Sequence, residues 1–539
     1  MPRITNLTIQ LSLIVTPPAA RARDEFTIEQ RLARLDEAQR QLRMLTLSWA
    51  ARREPDEGFV DFEARQIEAI RQVGRASTEL ALALAETKHR LEMPARFEDG
   101  GTVYRLTRSE PRSLNTWFGT VRYRRSYARP AGGGAGWFPL DAELGLLSDR
   151  FSPSLLATGA RLASRVSYAE AREILGWFVP QAPSTEVLEQ TVLGLGHHTA
   201  AWFESVPPPG DDGEVLVVLI DGKCVPTVRQ EELEKRCGPR KDRPKAPSPR
   251  HRGRASRKVR GRRPRPKRGD KKKNGKLVTM VVTYTLRRAG ELLLGPLNRR
   301  VYASFGPKRH AFEFAVAEAA RRGFEAGTSK TVQLLTDGDP DLHRYVDEYF
   351  PPTSFPNRVV TVDVMHVLEK LWDAGTARYD EGSAALAEWV HTQEDRLYAD
   401  DADVVVTELR AWLAHTPQTG PGNKGKRKRL STAIRYLANR LDKLAYGSCR
   451  ERDLEVGTGQ VEGAIKHVIG KRCDHGGMRW KRERAQAVIQ LRCIDVNQQW
   501  DAFATWTLQR LQACAQQERR QVRLQTQSPA KLPSRPMAA

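Results

Sequence analysis

Residues 215–221 read VLVVLID, an apolar run that ends in the acid Asp221. A short apolar run bounded by turn signals is typical of a buried strand. A second run, Val332–Thr336 (VQLLT), ends in Asp337 in the same way and opens a Gly-Asp-Pro turn. A carboxylate in such a position is fixed by the sheet and still meets solvent. Strands also end in aspartate because turns begin there, so each acid alone has this structural alternative.

Strand and helix patterns alternate around these two runs. We expect strands at 215–220, 276–286, 291–303, 332–336 and 358–362, with helices at 311–323 and 342–349. This order predicts an α/β fold with an RNase H-like catalytic core, in which the first and fourth of these strands lie side by side. Asp221 and Asp337 would then be neighbours.

A third acid, Glu462, lies in Gly459–Gly470 (GQVEGAIKHVIG), which reads as the start of a helix. Three carboxylates brought together can hold two divalent cations roughly 3.5–4 Å apart, the arrangement used in phosphodiester chemistry. Hard oxygen ligands favour Mg²⁺, with Mn²⁺ as a substitute. We therefore expect Asp221, Asp337 and Glu462 to be the catalytic residues and the ligands of two Mg²⁺ (or Mn²⁺) ions.

Asp363 is the alternative to Asp337 as the second carboxylate. It also follows a predicted strand, and His366 lies three residues further on, so the two could form a metal pair. His366 has two other interpretations, a residue that positions the metal ligands and a buried structural histidine. We prefer Asp337, because its strand is the one expected beside the strand of Asp221.

The charge of the chain is concentrated in one segment. The 539 residues carry a formal net charge of +23. Residues 235–276 hold 21 lysines or arginines against two acids, a local net charge of +19, so the remainder carries +4. This segment is rich in Pro, Gly and Ser, and we expect it to be disordered when free and to bind DNA without sequence specificity. Its expected DNA-binding residues are Arg257, Lys258, Arg260, Arg262, Arg263, Lys271, Lys272 and Lys273.

A second basic stripe follows Glu462. Lys466 lies four residues after it, where either an ion pair with Glu462 or a contact to a DNA phosphate is expected. The stripe then continues through Lys471, Arg472, Arg479, Trp480 and Lys481. Such a stripe suits a DNA backbone with Trp480 as a stacking or wedge residue. An exposed amphipathic helix, with Trp480 in the core, would look the same.

Composition shifts divide the chain into six predicted segments. They are a helical N-terminal region (1–95), a small β element with helices (96–206) that begins with a strand pair at 102–108 and 117–129, the first part of the core (207–371), a helical insertion (372–456) with a lysine-rich loop at 424–429, the last core helices (457–510) and a polar tail (511–539).

The N-terminal segments favour two interactions. Apolar residues recur every seven from Ile28 to Trp49, which suits either a multimer contact or an ordinary amphipathic helix pair. Three short helical patterns between Ser152 and Gly196 suit a helix-turn-helix or a three-helix packing without DNA contact. The six cysteines form no CxxC pair, and no apolar run approaches a membrane helix, so we expect a cytoplasmic protein.

Four strings occur in order on the predicted elements: LIDGKCVP at 219–226, TDGDPDLH at 336–343, TVDVMHVLEKLW at 361–372 and GTGQVEGAIKHVIGKRCDHGGMRW at 457–480. Together they resemble the bacterial insertion-sequence transposases of the ISKra-four family, relatives of the Mutator-like DDE transposases. The resemblance covers about residues 118–503.

The resemblance implies an RNase H-like domain with a DDE triad that cleaves transposon ends and transfers 3′ strands to target DNA. Residue by residue, Asp221, Asp337 and Glu462 match the triad, and His366 matches the histidine that follows the second carboxylate. It also implies double-stranded DNA, as terminal inverted repeats and target, and a homo-oligomer as partners. The alternatives are a catalytically inactive, transposase-derived DNA-binding protein and an RNase H-like structure-specific nuclease or resolvase.

Overall fold

The computed structural model describes residues 27–52, 58–99, 101–146, 150–229, 275–474 and 478–511. The chain forms two compact units, Met1–Thr191 with Asp501–Ala539 and Val192–Trp500. No helix among the described residues is long and apolar enough to cross a membrane. The finer division into six segments stays a prediction.

The first unit begins with two long helices, α1 (Ile28–Arg52) and α2 (Phe59–Glu92). They run antiparallel. Arg31 at the start of α1 lies 3.6 Å from Glu79 in α2, whereas Trp49 near the end of α1 stacks on Phe62 near the start of α2 at a centroid distance of 4.5 Å. The sequence-based expectation of an amphipathic helix pair is confirmed, and a multimer contact through α1 stays a prediction.

A three-stranded antiparallel sheet follows, with strands β1 (Arg96–Asp99), β2 (Thr102–Thr116) and β3 (Gly119–Pro130). The expected strand pair is confirmed, and β1 is an additional strand. A buried carboxylate ties the sheet to the next helix, because Asp141 accepts a hydrogen bond of 2.6 Å from the Tyr123 hydroxyl and pairs with Arg112 at 2.8 Å.

Five helices follow the sheet along the chain: α3 (Pro139–Glu143), α4 (Pro153–Arg165), α5 (Tyr168–Phe178), α6 (Thr185–Gly196) and α7 (Thr199–Ser205). The division between the two units falls within α6, and α7 belongs to the second unit. The three helical patterns expected between Ser152 and Gly196 correspond to α4, α5 and α6. Ser167 and Ser184 act as N-caps, since their hydroxyls accept hydrogen bonds of 3.2 Å from the amides of Glu170 and Val187. DNA binding by these helices stays a prediction.

The second unit is built on a mixed five-stranded sheet. Its strands are β4 (Val215–Pro226), β5 (Gly275–Ala289), β6 (Leu292–Ser304), β7 (Thr331–Thr336) and β8 (Arg358–Val362). Their order is β6-β5-β4-β7-β8. β4 pairs antiparallel with β5 and parallel with β7. The expected adjacency of the first and fourth strands is therefore confirmed within a mixed α/β fold.

The apolar run of β4 is buried because both faces of the sheet are covered. Leu216, Val218 and Ile220 point into a core completed by helices α8 (Arg309–Arg321) and α9 (Pro340–Tyr349). Successive side chains of a strand point to opposite faces. Asp221 therefore faces away from that core, on the side where the helix carrying Glu462 packs against β4 and β5.

A helical segment lies between β8 and Glu462. It contains α10 (Val364–Gly375), α11 (Ala384–Tyr398), α12 (Ala402–His415), α13 (Asn423–Ala438), a 3₁₀ turn (Leu441–Lys443) and α14 (Tyr446–Glu451). These helices share a core of their own that includes Leu371, Trp389, Val405 and Leu437. The expected helical insertion is present.

The prediction of a lysine-rich loop at residues 424–429 is wrong, because these residues form the first turns of α13. Lysine and arginine are good helix formers. Leu430 and Leu437 further along α13 are buried in the helical core, which fixes the helix there. The turn instead precedes α13 at Gly422, whose φ of +81° is left-handed.

The chain returns to the sheet through α15 (Gly459–Ile465), a π-helical turn (Lys466–Gly470), α16 (Lys471–Cys473) and α17 (Arg482–Val496), and residues 500–511 are again helical. The helix expected to start near Glu462 is confirmed, with the π-helical turn as a departure from it. Single π-turns inside helices often lie at functional sites.

Candidate active site

Parallel pairing of β4 and β7 brings Asp221 and Asp337 to the same edge of the sheet. Ile220 is in register with Thr336, and each aspartate is the next residue along the chain. Contrary to the expectation from sequence, Asp221 does not end β4. It pairs with Met280 while β4 continues to Pro226, because β5 is longer than β7. Only the parallel pairing ends at this point.

The pKa of the Asp221 carboxyl is shifted by burial and by charged neighbours. Burial raises the pKa of the Asp221 carboxyl above its usual value, and the negative charges of Asp337 and Glu462 raise it further. A hydrogen bond of 2.5 Å from the Gly222 amide and the nearby His366 act in the opposite direction. Asp337 and Glu462 therefore each lie within electrostatic reach of Asp221.

Glu462 is half-buried on α15, and the segment before α15 is bound to the sheet. The side chain of Gln333 in β7 donates to the Glu455 carbonyl at 2.6 Å and accepts from the Glu455 amide at 3.0 Å. The hydroxyl of Tyr284 in β5 donates to the Glu455 carboxylate at 2.9 Å. These contacts direct the chain back across the sheet to the edge that carries Asp221.

Asp363, the alternative second carboxylate, is fully buried directly after β8. One carboxylate oxygen accepts from the Met365 amide at 3.0 Å and so caps α10. The other accepts a short hydrogen bond from the Thr458 hydroxyl. Its hydrogen bonds thus link β8 to the turn that leads into the helix of Glu462. His366 is partly exposed, with Nε2 3.9 Å from Asp363 and Nδ1 3.5 Å from Glu369.

The chemistry of this edge suits a divalent cation. Asp221, Asp337 and Glu462 offer hard oxygen donors. Burial, and then the negative charges of Asp337 and Glu462, raise the pKa of Asp221, and a bound cation would offset this cost of ionisation. Within the ranges that the structure describes, no three His, Cys, Asp or Glu side chains converge closely enough to hold a metal ion. Side-chain movement is therefore needed before these acids could share an ion.

The basic stripe after Glu462 divides into exposed and buried members. Lys466, Lys471 and Arg479 are exposed, and Lys481 is half-buried. Arg472 and Trp480, which were expected to bind DNA, are buried, with 1% and 7% of their surface exposed.

Trp480 is held in place by its main chain and its side chain. Its amide donates to the Pro226 carbonyl at 3.1 Å, and its carbonyl accepts from the Val228 amide at 2.9 Å. The indole donates to the Cys473 carbonyl at 3.3 Å, and the Arg472 guanidinium lies 4.6 Å from the ring centroid. Trp480 therefore lies in the core, the alternative expected from sequence, and DNA binding by Arg472 and Trp480 stays a prediction.

The basic segment 235–276 lies outside the described residues except for its last two, Gly275 and Lys276, which open β5. Pro226 at the end of β4 is in register with Gly275. The intervening chain therefore leaves and re-enters the sheet at the same end of an antiparallel pair.

Sequence reasoning missed two residues that contact the turn after β7. The hydroxyl of Tyr436 in α13 donates to the Asp337 carbonyl at 2.9 Å. The Arg440 guanidinium donates to the Gly338 carbonyl from Nε at 3.0 Å and from Nη2 at 2.5 Å. No local motif marks these contacts, since about a hundred residues separate the partners in sequence.

Gly338 fits this turn only as glycine. Its φ is +79°, and a Cβ there would lie 2.6 Å from the Tyr436 hydroxyl and 3.1 Å from Arg440 Nε. We expect Gly338→Ala to lower the free energy of unfolding by more than about 1 kcal/mol, measured by urea unfolding.

Gly425→Ala is the matched control for Gly338→Ala, because Gly425 lies in α13 and a Cβ there would meet open space. It should raise the free energy of unfolding by up to about 1 kcal/mol. Equal effects of the two substitutions would contradict the tight packing around Gly338.

No protein-family model matches the chain, and no curated protein matches it. Among solved structures, the chain is similar to "Drosophila P element transposase strand transfer complex", at 9% sequence identity and a TM-score of 0.21, with 69% of this chain and 84% of that chain covered. A TM-score this low carries no argument about fold or function. The function has to be inferred from the sequence and from the residues at the sheet edge.

Proposed function

We propose that the protein is a DNA transposase of the DDE class, with an RNase H-like core in which Asp221, Asp337 and Glu462 are the catalytic carboxylates. The observation that carries the proposal is the register of β4 and β7, which sets Asp221 and Asp337 side by side. The influence of Asp337 and Glu462 on the pKa of Asp221 supports it. The four sequence strings of the ISKra-four resemblance supply the choice of transposition among reactions of this fold.

The three acids would hold two Mg²⁺ or Mn²⁺ ions. When bound, such ions lower the pKa of an attacking water and stabilise the leaving 3′ oxygen. The sheet fixes the backbones of Asp221 and Asp337, while α15 brings Glu462 from the side. Lys466, Lys471 and Arg479 are exposed beyond Glu462, where they could contact the DNA backbone.

The test is a cleavage and strand-transfer assay in Mg²⁺ with DNA that carries the inverted repeats flanking the gene. Specific cleavage and joining of 3′ ends to a second DNA would support the proposal. Cleavage of branched DNA without joining would instead indicate a structure-specific nuclease. A well-folded protein that binds the repeats and never cleaves them, in Mg²⁺ or Mn²⁺, would be a DNA-binding descendant and would overturn the proposed activity.

The basic segment should contribute affinity without specificity. We expect replacement of residues 235–274 by a short Gly-Ser linker to leave the fold intact, because Pro226 and Gly275 are already paired neighbours. DNA affinity should fall, and the salt dependence of log Kd should become shallower by about 0.9 for each phosphate that the segment neutralises in the intact protein. Fluorescence anisotropy over a salt series measures both quantities.

Specific and random DNA should lose affinity to a similar extent in this deletion. A decrease confined to the specific repeats would contradict nonspecific binding by the segment.

A further inference from the structure

We propose that Tyr436 and Arg440 are positioning residues, which clamp the turn that carries Asp337 and thereby set the second carboxylate. The inference rests on the proposed function in that Asp337 is taken as catalytic. It assigns the helical segment between β8 and Glu462 a direct part in the active site.

The clamp is made of hydrogen bonds to two consecutive carbonyls. Tyr436 binds the carbonyl of Asp337 itself, and Arg440 binds that of Gly338 with two nitrogens. The guanidinium also donates to the Tyr436 carbonyl at 2.6 Å and lies 4.3 Å from the centroid of the Tyr436 ring. Each clamp residue therefore orients the other.

The clamp lies partly out of water, since Arg440 is buried and Tyr436 is half-buried. Arg440 is buried with 8% of its surface exposed. Burial raises the pKa of the Tyr436 hydroxyl, and this effect outweighs the lowering by the nearby Arg440, so Tyr436 stays a neutral donor. Charge-assisted bonds from a buried guanidinium are stronger than neutral ones.

On its other side the turn is held by its own residues. The Asp337 carboxylate accepts from the Asp339 amide at 2.9 Å, and Asp339 caps α9 and pairs with Lys308 at 2.5 Å. Hydrogen bonds thus join the turn at Asp337 to the start of α9 on one side and to α13 and Arg440 on the other. Without the clamp, the carbonyls of Asp337 and Gly338 would lose these hydrogen bonds while the strand before the turn stayed intact.

The clamp can be weakened with small changes, Tyr436→Phe and Arg440→Lys. Tyr436→Phe removes one hydroxyl and keeps the ring that stacks on Arg440. Arg427→Lys is the control, because Arg427 also lies on α13 and also binds two carbonyls, those of Leu413 at 2.8 Å and Thr416 at 2.5 Å, away from Asp337.

Two measurements test the clamp in the full-length protein. Hydrogen exchange of the peptide that contains residues 337–341 should accelerate by about tenfold in Tyr436→Phe and Arg440→Lys, and should not change in Arg427→Lys. The kcat of DNA cleavage should fall by about tenfold or more at unchanged KM for DNA in the same two variants only.

Exchange or kcat values that match those of Arg427→Lys would overturn the clamp, as would an effect that appears only in KM. A wild-type protein without cleavage activity would refute the proposed function. The exchange measurement would still decide in that case whether Tyr436 and Arg440 hold the turn.

Discussion

Asp221→Asn, Asp337→Asn and Glu462→Gln should each lower the rate of DNA cleavage about a thousandfold or more, equivalent to about 4 kcal/mol of transition-state stabilisation. Each change removes a negative charge and one oxygen ligand while it keeps the size of the side chain. Binding of the terminal repeats, measured by fluorescence anisotropy, should change little. Retained cleavage in any of the three variants would remove that residue from the proposed triad.

Asp221→Asn should also stabilise the folded protein in the absence of metal. Burial, and then the charges of Asp337 and Glu462, raises the pKa of Asp221. Its ionised form is therefore less favourable in the folded than in the unfolded chain, and the free energy of unfolding is reduced at neutral pH. This reduction disappears as the pH falls from the raised pKa through the ordinary range of an aspartate.

Asp221→Asn should consequently raise Tm at pH 7 and lose this advantage in acid. Mg²⁺ should raise the Tm of the wild type, because a ligand that binds only the folded state stabilises it. The Mg²⁺ effect should be smaller in Asp221→Asn. Differential scanning fluorimetry across pH, with and without Mg²⁺, separates the two effects.

Asp363→Ala should reduce both stability and activity, whereas Asp363→Asn should keep most of both. Alanine removes the cap of α10 and the partner of Thr458, and removal of an N-cap alone costs about 1 kcal/mol. Asparagine is an equally good cap, and its amide can still exchange a hydrogen bond with the Thr458 hydroxyl. Urea unfolding and the cleavage assay measure the two quantities.

Two substitutions of Thr458 test its hydrogen bond to Asp363. Thr458→Val removes the hydroxyl at nearly constant shape and should lower kcat by about tenfold, the usual effect of removing a residue that supports a site residue. Thr458→Ser should restore the rate. If Asp363→Asn abolished DNA cleavage while Asp337→Asn retained it, the assignment of Asp337 as the second carboxylate would be contradicted. Asp363 would then take that role.

The order of elements in the core could be predicted because its strands are short, apolar and bounded by turns. Val215–Ile220 and Val332–Thr336 are short apolar runs of the kind that form buried strands. The alternation of strand and helix patterns around them limits the possible topologies. Errors arose where a local pattern had two solutions. The basic residues 424–429 suit a loop or a helix, and their neighbours Leu430 and Leu437 decided for the helix by packing.

The basic stripe shows the same limit. From charge and spacing, Lys471 and Arg472 were both expected to contact DNA. In the structure Lys471 is exposed, whereas Arg472 is buried against Trp480. The π-helical turn before them and the pairing of Trp480 with Pro226 and Val228 decide which side chain faces the solvent. That pairing joins chain segments that are about two hundred and fifty residues apart.

The α/β core, the neighbouring positions of Asp221 and Asp337 and the concentration of positive charge between β4 and β5 could all be predicted, because each follows from local composition and strand order. The hydrogen bond between Asp363 and Thr458 and the contacts of Tyr436 and Arg440 with the Asp337 turn became visible only in three dimensions. Such contacts join segments that are distant in the chain. They are specified by packing of the helical segment against the sheet edge, which no local pattern encodes.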